Sequence, residues 1–567
     1  MMPGSNSPLL HLKNYTHFEF SDIIKLSERG FFMSFHSNSS QQYSLTDITN
    51  NLTTREKKAL ESSWAKIFAE DIFPSIDEER FSVLYSDRTQ CRANTPVNIS
   101  VGALIIKELF QISDDEIVEN LMLDPRYQYA LHTTSYEEQP LSDKSLSRFR
   151  KRCYDYEAAY GIDLLHDCVT DLSSKIAKMM DISPRIKRMD SLMIEANIKN
   201  LSRAELLYTC VAKLVMYVHK KHRDDLLTGL EHYYDQNDYN KTFYYNDSTG
   251  TAEQINTILC DADKLLTICG SDFDDTTEYQ LVLRCLSEQT VMENSTRRLR
   301  NKEDGGFSSS MLQSPTDPDA TFREKAGKQH RGYVANLEET VSENGSVITD
   351  YQYEQNTYSD SQFLQDNLQK ADVQKEPSIL ITDGAYCGVE NTALAASKNI
   401  QLVTTDLTGK DVPDIYADFE LNEDGTRIIK CPAGYSPVSC CCSSSNGHIH
   451  ASFSKEACMN CPNKDKCRIK EHKKVCSIDI SATAQYRANR RRYMKTEEFK
   501  AFARLRNGVE TLPSILRSRY HVDRMAVCGK IRNRFFFGCK VAALNIRKLF
   551  TFRNSLGNYA QNSVLSR

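Results

Sequence analysis

Three acidic residues sit where a carboxylate could do chemistry. Asp383 ends the run P-S-I-L-I-T-D at 377–383, and the turn G-A-Y follows. Ile379, Leu380 and Ile381 form a short apolar stretch that reads as a buried central strand, and Gly384 supplies a sharp turn. An aspartate at such a strand end lies at the rim of a sheet, where ligands and metals bind in α/β proteins. It can equally cap the turn that follows. Asp190 interrupts R-I-K-R-M-D-S-L-M-I, whose apolar members Ile186, Met189, Leu192, Met193 and Ile194 read as a second strand. A lone carboxylate there costs on the order of several kcal/mol unless it is paired or holds a cation. Glu510 is framed by Arg506 before it and Arg517 after it, positions that share one face of a continuous helix. Such an acid is either part of a surface ion pair or part of a site for a phosphate backbone and a metal.

Cysteine supplies a second candidate chemistry. Eight of the 18 cysteines fall between 431 and 476. C-M-N-C-P-N-K-D-K-C contributes Cys458, Cys461 and Cys467, and Cys431 completes a set of four. Two thiolates at Cys-x-x-Cys spacing can share one tetrahedral zinc ion. The same thiols can also stay reduced and unliganded. The adjacent Cys440, Cys441 and Cys442 are poorly spaced to bind one metal together.

The elements that must position these groups follow from the pattern. Residues 1–55 are polar and rich in Ser, Asn and Thr, and read as loosely ordered. Residues 56–165 read as a helical domain, with a capping box at Ser113 and Glu116. Its basic cluster of Arg148, Arg150, Lys151 and Arg152 can contact DNA, or can simply favour a helix C-terminus. Residues 180–550 read as an α/β core. The Asp190 strand is followed by a helical insertion at 202–310 with an apolar stripe of Leu207, Val211, Leu214 and Val218, ending in a polar Gly/Ser linker. A hairpin is expected around Ser342-Glu343-Asn344-Gly345, then a helix, the Asp383 strand, a second helix and the strand I-Q-L-V-T-T-D. A Cys-rich insertion occupies 418–480. The basic amphipathic helices beyond it precede an apolar helix, R-F-F-F-G-C-K-V-A-A-L-N-I-R-K-L-F, that is expected to close the core. Residues 551–567 form a tail.

At 567 residues the chain has room for two or more domains with real cores, and its net charge of −5 does not announce nucleic acid. The distribution does: residues 481–567 carry nineteen Lys/Arg against four Asp/Glu, which suggests a phosphate-binding face. No apolar run approaches the roughly 20 residues of a membrane helix. The start M-M-P-G-S-N-S-P-L-L lacks a basic segment followed by a long apolar one, so no secretion signal is expected.

Taken in order, strand-Asp, strand-Asp-turn-Tyr and helix-Glu resemble the DDE transposases of bacterial insertion sequences. D-S-L-M-I-E-A-N at 190–197 is similar to that family's first-Asp motif. S-P-T-D-P-D-A at 314–320 and G-K-Q-H-R-G-Y at 327–333 are similar to its second-strand signature, and Arg506, Glu510 and Arg517 match its C-terminal one. The likeness covers roughly residues 90–550. It departs from the usual pattern at Ala503, where Tyr is common, at Ala385, where Gly is common, and at Arg517, where Lys is usual. Pro513 also falls where the Glu510 helix would start or kink.

The resemblance implies a ribonuclease H-like mixed sheet with Asp190 beside Asp383, and a helical N-terminal domain that recognises the element's ends. It implies that Asp190, Asp383 and Glu510 are catalytic ligands of divalent cations, Mg²⁺ or Mn²⁺, while Arg506 and Arg517 hold phosphates or orient Glu510. Its partners would be double-stranded DNA, as terminal inverted repeats and as target, bound by a homodimer in a bacterial cytoplasm at the nucleoid. Two competing acids, Glu195 and Asp406, fall outside the family's positions. Two other functions fit the same motifs: a metal-dependent nuclease without strand transfer, and a transposase-derived DNA-binding protein that has lost catalysis.

Overall fold

The computed structural model describes residues 33–38, 47–86, 92–235, 237–244, 251–294, 296–325, 327–405, 411–443, 447–508 and 511–565. Most of the polar N-terminal stretch expected at 1–55, and both Glu510 and Asp406, lie outside the described residues. The chain divides into two compact units, Met1–Lys175 with Arg534–Arg567, and Ile176–Asn533.

The first unit is helical. Its central helix α1 (Val97–Phe110) is apolar on nearly every face and buried over most of its length, from Val97 to Leu109. Helix α2 (Asp114–Leu123) starts at Ser113, whose hydroxyl accepts the Glu116 N–H. Helices α3 (Ser145–Tyr160) and α4 (Leu164–Met179) follow. The apolar segment expected to close the α/β core belongs to this unit from Arg534 onward. It forms part of the long helix Lys530–Leu565, with Phe535, Phe537, Val541, Leu544 and Ile546 buried. Lys540 pairs with the Glu108 carboxylate of α1 at 2.6 Å, and Asn545 donates to the Ser173 hydroxyl of α4 at 2.9 Å. An all-round apolar helix such as α1 needs partners on several sides, and the last helix is tied to it through the Lys540–Glu108 pair.

The second unit is built on a mixed sheet. Strand β1 (Ile186–Glu195) is central. The insertion after it has its own core: α5 (Arg203–Lys220), α6 (Thr251–Cys269) and α7 (Thr277–Gln289) bury Leu207, Val211, Leu214 and Val218 together with Leu265 and Cys285. The Gly/Ser stretch that follows is held in place. Thr296–Leu299 pairs with Thr290–Glu293 as a short hairpin, and the Arg284 guanidinium donates to the carbonyls of Ser310 and Pro318.

Strand β2 (Thr321–Lys325) pairs with the start of the long strand β3 (Lys328–Ser342). Strand β3 then runs antiparallel to β1 and to β4 (Gly345–Gln355). The β3–β4 turn residues are Glu343 and Asn344, within the expected Ser342–Gly345, because Ser342 pairs with Gly345. Helix α8 (Asp360–Lys370), strand β5 (Ser378–Thr382), helix α9 (Val389–Ser397) and strand β6 (Ile400–Thr404) complete the core. Strands β1, β5 and β6 are mutually parallel, and the six-stranded sheet runs β2-β3-β1-β5-β6, with β4 also paired to β3 to give β4-β3-β1-β5-β6.

The Cys-rich insertion is a small antiparallel sheet of β7 (Ser439–Cys442), β8 (His448–Ser454) and β9 (Val475–Ser481), edged by the two-residue strand Lys470–Glu471. After it come α10 (Ala482–Tyr493), α11 (Glu497–Asn507) and α12 (Thr511–Ser518). Among the described residues, no helix is long and apolar enough to cross a membrane.

Candidate active site

The parallel register aligns Ile186 with Ile379, Lys187 with Leu380 and Arg188 with Ile381. Continued by two residues, it sets Asp190 opposite Asp383. Each carboxylate is fixed through one oxygen: Asp190 Oδ1 accepts the Ser191 N–H at 2.9 Å, and Asp383 Oδ1 accepts the Ala385 N–H at 2.8 Å. Asp383 therefore does cap the turn Gly384–Tyr386, with one oxygen only. The other oxygen of each acid, Oδ2, lies 3.8 Å from the same guanidinium nitrogen of Arg506.

Burial pushes the Asp190 carboxyl up to about 6, against the opposing pull of Arg506, and the nearby Asp383 charge adds to the rise. Its side chain is 16 % exposed. Two carboxylates level on adjacent strands offer the hard oxygen donors that a divalent ion takes. Among the described residues, however, no three His, Cys, Asp or Glu side chains are gathered at metal-binding spacing.

Helix α11 carries Arg506 to the acids. Thr496 caps it by accepting the Phe499 N–H, and Phe499, Phe502, Ala503 and Leu505 pack on Ile381 of β5 and Val403 of β6. Ala503, a departure from the family pattern, is one of these packing residues. The end of the helix is tied to β1 by Arg188, which sequence reasoning missed. Arg188 is buried, pairs with the fully buried Glu339 of β3 at 2.6 Å and donates to the Leu505 carbonyl at 2.5 Å. A Cβ at position 508 would collide with this guanidinium, which is why the close approach uses Gly508. The only sequence signal for Arg188 is a charge at an inward strand position, two residues before Asp190.

The Tyr of the Asp-turn-Tyr signature is structural here. Tyr386 is fully buried and donates to Asn336 Oδ1 at 2.7 Å, and Asn336 donates in turn to Gln352 at 2.7 Å. Asn336 is the β3 partner of Ser191, so the network braces the strand segment that carries Asp190.

Other expected site residues take different places. Residues 497–507 and 511–518 form separate helices, so Arg506 and Arg517 do not share one helix face. Pro513 sits in the first turn of the second helix, where a missing N–H costs nothing. Arg517 donates to the Met193 carbonyl at 2.7 Å and to Asp523 at 3.1 Å. Glu195 accepts from the Arg331 N–H and lies 2.6 Å from His330 Nδ1, so it is committed within the β1–β3 pair. Gly332, the β3 partner of Glu195, has φ +149°, and a Cβ there would strike the Ile194 and Ala196 backbone.

The basic stretch is less open than its composition suggests. Arg491 pairs with Asp411, Arg492 with Asp418 and Lys495 with Asp414, while the Arg490 guanidinium stacks over Tyr493 and Phe499. The acids that neutralise this segment lie before residue 481, outside the window in which its charge is counted.

In the helical unit, Arg148 is exposed. Arg150 is only 11 % exposed and shares Asp114 with Lys107. Arg152 lies over the Tyr85 ring.

The four candidate thiols, Cys431, Cys458, Cys461 and Cys467, line one cavity in the Cys-rich insertion.

Two family matches bear on this architecture. Residues 430–550 match the family described as transposase DDE domain, and residues 57–152 match the family described as transposase domain (DUF772). No curated protein and no solved structure matches the chain. The first match covers the Cys-rich insertion and the helices that bring Arg506 to the sheet, and the second covers the expected DNA-recognition region. Two transposase family models thus match separate stretches of the chain, and together they support a DDE insertion-sequence transposase.

Proposed function

We propose that this transposase cuts DNA at the ends of its element and joins the freed 3′ ends to target DNA, using Asp190, Asp383 and Glu510 as ligands of divalent cations. The observation that carries this reading is the shared contact of the two aspartates with Arg506, each at 3.8 Å. The strand order β4-β3-β1-β5-β6, with an antiparallel pair on one side of β1 and parallel strands on the other, supports a ribonuclease H-like core. In that core the acids would occupy adjacent central strands.

DDE transposases use divalent ions, and Mg²⁺ or Mn²⁺ suits an all-oxygen donor set. When bound, such ions activate water and stabilise a departing 3′ oxygen in an in-line displacement at phosphorus. The chain's own residues do the positioning. The backbone N–H groups of Ser191 and Ala385 hold one oxygen of each aspartate and leave the other directed at the reaction centre. Arg506, now against both acids, is within reach of a phosphate oxygen once a cation shares their charge. The Arg188–Glu339 pair and the Tyr386–Asn336 bond keep the two strands and α11 in place. DNA ends and target DNA are the substrates, and two chains would pair two ends.

The test is cleavage of a labelled duplex carrying the element's own end, with Mg²⁺ or Mn²⁺, by the intact protein and by Asp383→Asn. Metal-dependent 3′ nicking that vanishes in the variant while DNA binding persists supports the reading. Equal nicking by both proteins overturns it. Nicking without joining to a target duplex leaves a nuclease in place of a recombinase.

A further inference from the structure

We propose that Cys431, Cys458, Cys461 and Cys467 form a structural zinc site that staples the Cys-rich insertion. The site is separate from the acidic residues, and the inference does not depend on their role. All four cysteines line one half-open cavity of about 30 Å³, room for little more than a small ion. Cys431 opens a tight turn closed by hydrogen bonds between Cys431 N and the Tyr435 carbonyl, 2.9 Å, and between Gly434 N and the Cys431 carbonyl, 2.8 Å. Cys458 and Cys461 bracket a second turn in which Cys461 N donates to the Cys458 carbonyl, and the Asn463 N–H donates to Cys461 Sγ at 3.4 Å. A backbone N–H aimed at a cysteine sulfur stabilises its thiolate, the form that binds metal. Cys467 closes the set from the following turn and is buried.

As they stand the four thiols are not gathered at metal-binding spacing, so ligation at the usual sulfur–zinc distance of about 2.3 Å requires their side chains to turn inward. Lys464 also lines the space. A zinc ion held by four thiolates is a net anion, so a lysine beside it is favourable. Cys476 touches the Cys458 thiol but does not line the cavity.

The fold gives a reason for such a staple. The insertion's core is small, chiefly Phe419, Ile428, Ile449, Phe453, Ile478 and Ile480. A sheet that small gains much of its stability from a metal or disulfide. The described cysteines form no disulfide.

The experiment is metal analysis of the full chain purified under reducing conditions without chelator. The expected result is one zinc ion per chain, released by a thiol-blocking mercurial. Cys458→Ser and Cys467→Ser should lower the content to near zero, whereas exposed Cys441→Ser and the acidic-site variant Asp383→Ala should keep it. Should a cysteine variant fail to fold, Co²⁺ added to the intact metal-stripped protein gives a second readout, a sulfur-to-cobalt charge-transfer band. A folded, reduced chain with neither zinc nor that band overturns the proposal. So does zinc that persists in both cysteine variants, or a disulfide found among the four.

Discussion

Asp190 and Asp383 stand level on adjacent parallel strands, and one guanidinium nitrogen of Arg506 lies 3.8 Å from an oxygen of each. Two like charges on neighbouring strands work against folding, and the arrangement persists because a cation lies against both. The two acids differ in exposure: the Asp190 side chain is 16 % exposed and that of Asp383 30 %. The Asp190 carboxyl is pushed up, chiefly by loss of water.

That asymmetry predicts a stability effect with a definite sign. The Asp190 carboxyl titrates at about 6 in the folded chain, against about 4 in an unfolded one. The folded state therefore holds the proton more tightly. The associated stability is full below about pH 4 and is lost as pH rises to about 6. Asp190→Asn should remove this decline and stabilise the metal-free protein at pH 7 by on the order of 2 kcal/mol, while abolishing cleavage. Urea unfolding in chelator at pH 4, 5.5 and 7 checks this. A variant no more stable than the parent at pH 7 would contradict it.

Asp383 has two jobs on two oxygens, and two substitutions separate them. Asn keeps an acceptor for the Ala385 N–H, and Ala does not. Asp383→Ala should cost about 1 kcal/mol relative to Asp383→Asn, the usual worth of an N-terminal cap. Both should lose cleavage. Retained cleavage in Asp383→Asn would leave the residue a cap and nothing more.

The acids were legible because each breaks a local rule. Asp190 is a charge in an apolar strand, and Asp383 follows one directly. The sheet was legible from the short apolar run Ile379–Ile381 and from the turn at Ser342–Gly345. Arg188 was not legible, because its partner Glu339 lies on a strand about 150 residues later and only the register joins them. The pairing of the basic stretch was hidden for the same reason: Asp411, Asp414 and Asp418 precede it by some 80 residues. The last helix misled because an apolar face tells that a partner exists, not which one. Buried Val97–Leu109 of α1 is an equally apolar candidate, and the helix's residues from Arg534 belong to that unit.

Arg188 gives the sharpest structural test. It is 8 % exposed and its partner Glu339 is fully buried. Arg188→Leu leaves that carboxylate without its cation, which costs about 3–5 kcal/mol. The double substitution Arg188→Leu with Glu339→Leu should recover much of that loss, since no charge is then stranded. A double-mutant cycle by thermal unfolding reads the coupling. If the double variant keeps its stability but not its cleavage rate, Arg188 acts by holding the Arg506 end of α11 against β1 through the Leu505 carbonyl.

Arg148 and Arg150, two residues apart on α3, should part company in DNA binding. Arg148 is exposed, so Arg148→Ala should leave stability unchanged and weaken binding to any duplex, lowering the dependence of log K on log salt by about one. Arg150 shares Asp114 with Lys107 and lies over the Phe536 ring. Its pairing with both cations holds the Asp114 carboxyl down to about 2 despite burial. Arg150→Ala should therefore lower the melting temperature and leave the salt slope of the surviving folded protein alone. Asp114→Asn should destabilise in the same direction, because it leaves Arg150 and Lys107 repelling one another in a partly buried site. Fluorescence anisotropy over a salt series, with melting curves on the same samples, decides between the two arginines. A change of slope with Arg150→Ala but not with Arg148→Ala would exchange their roles.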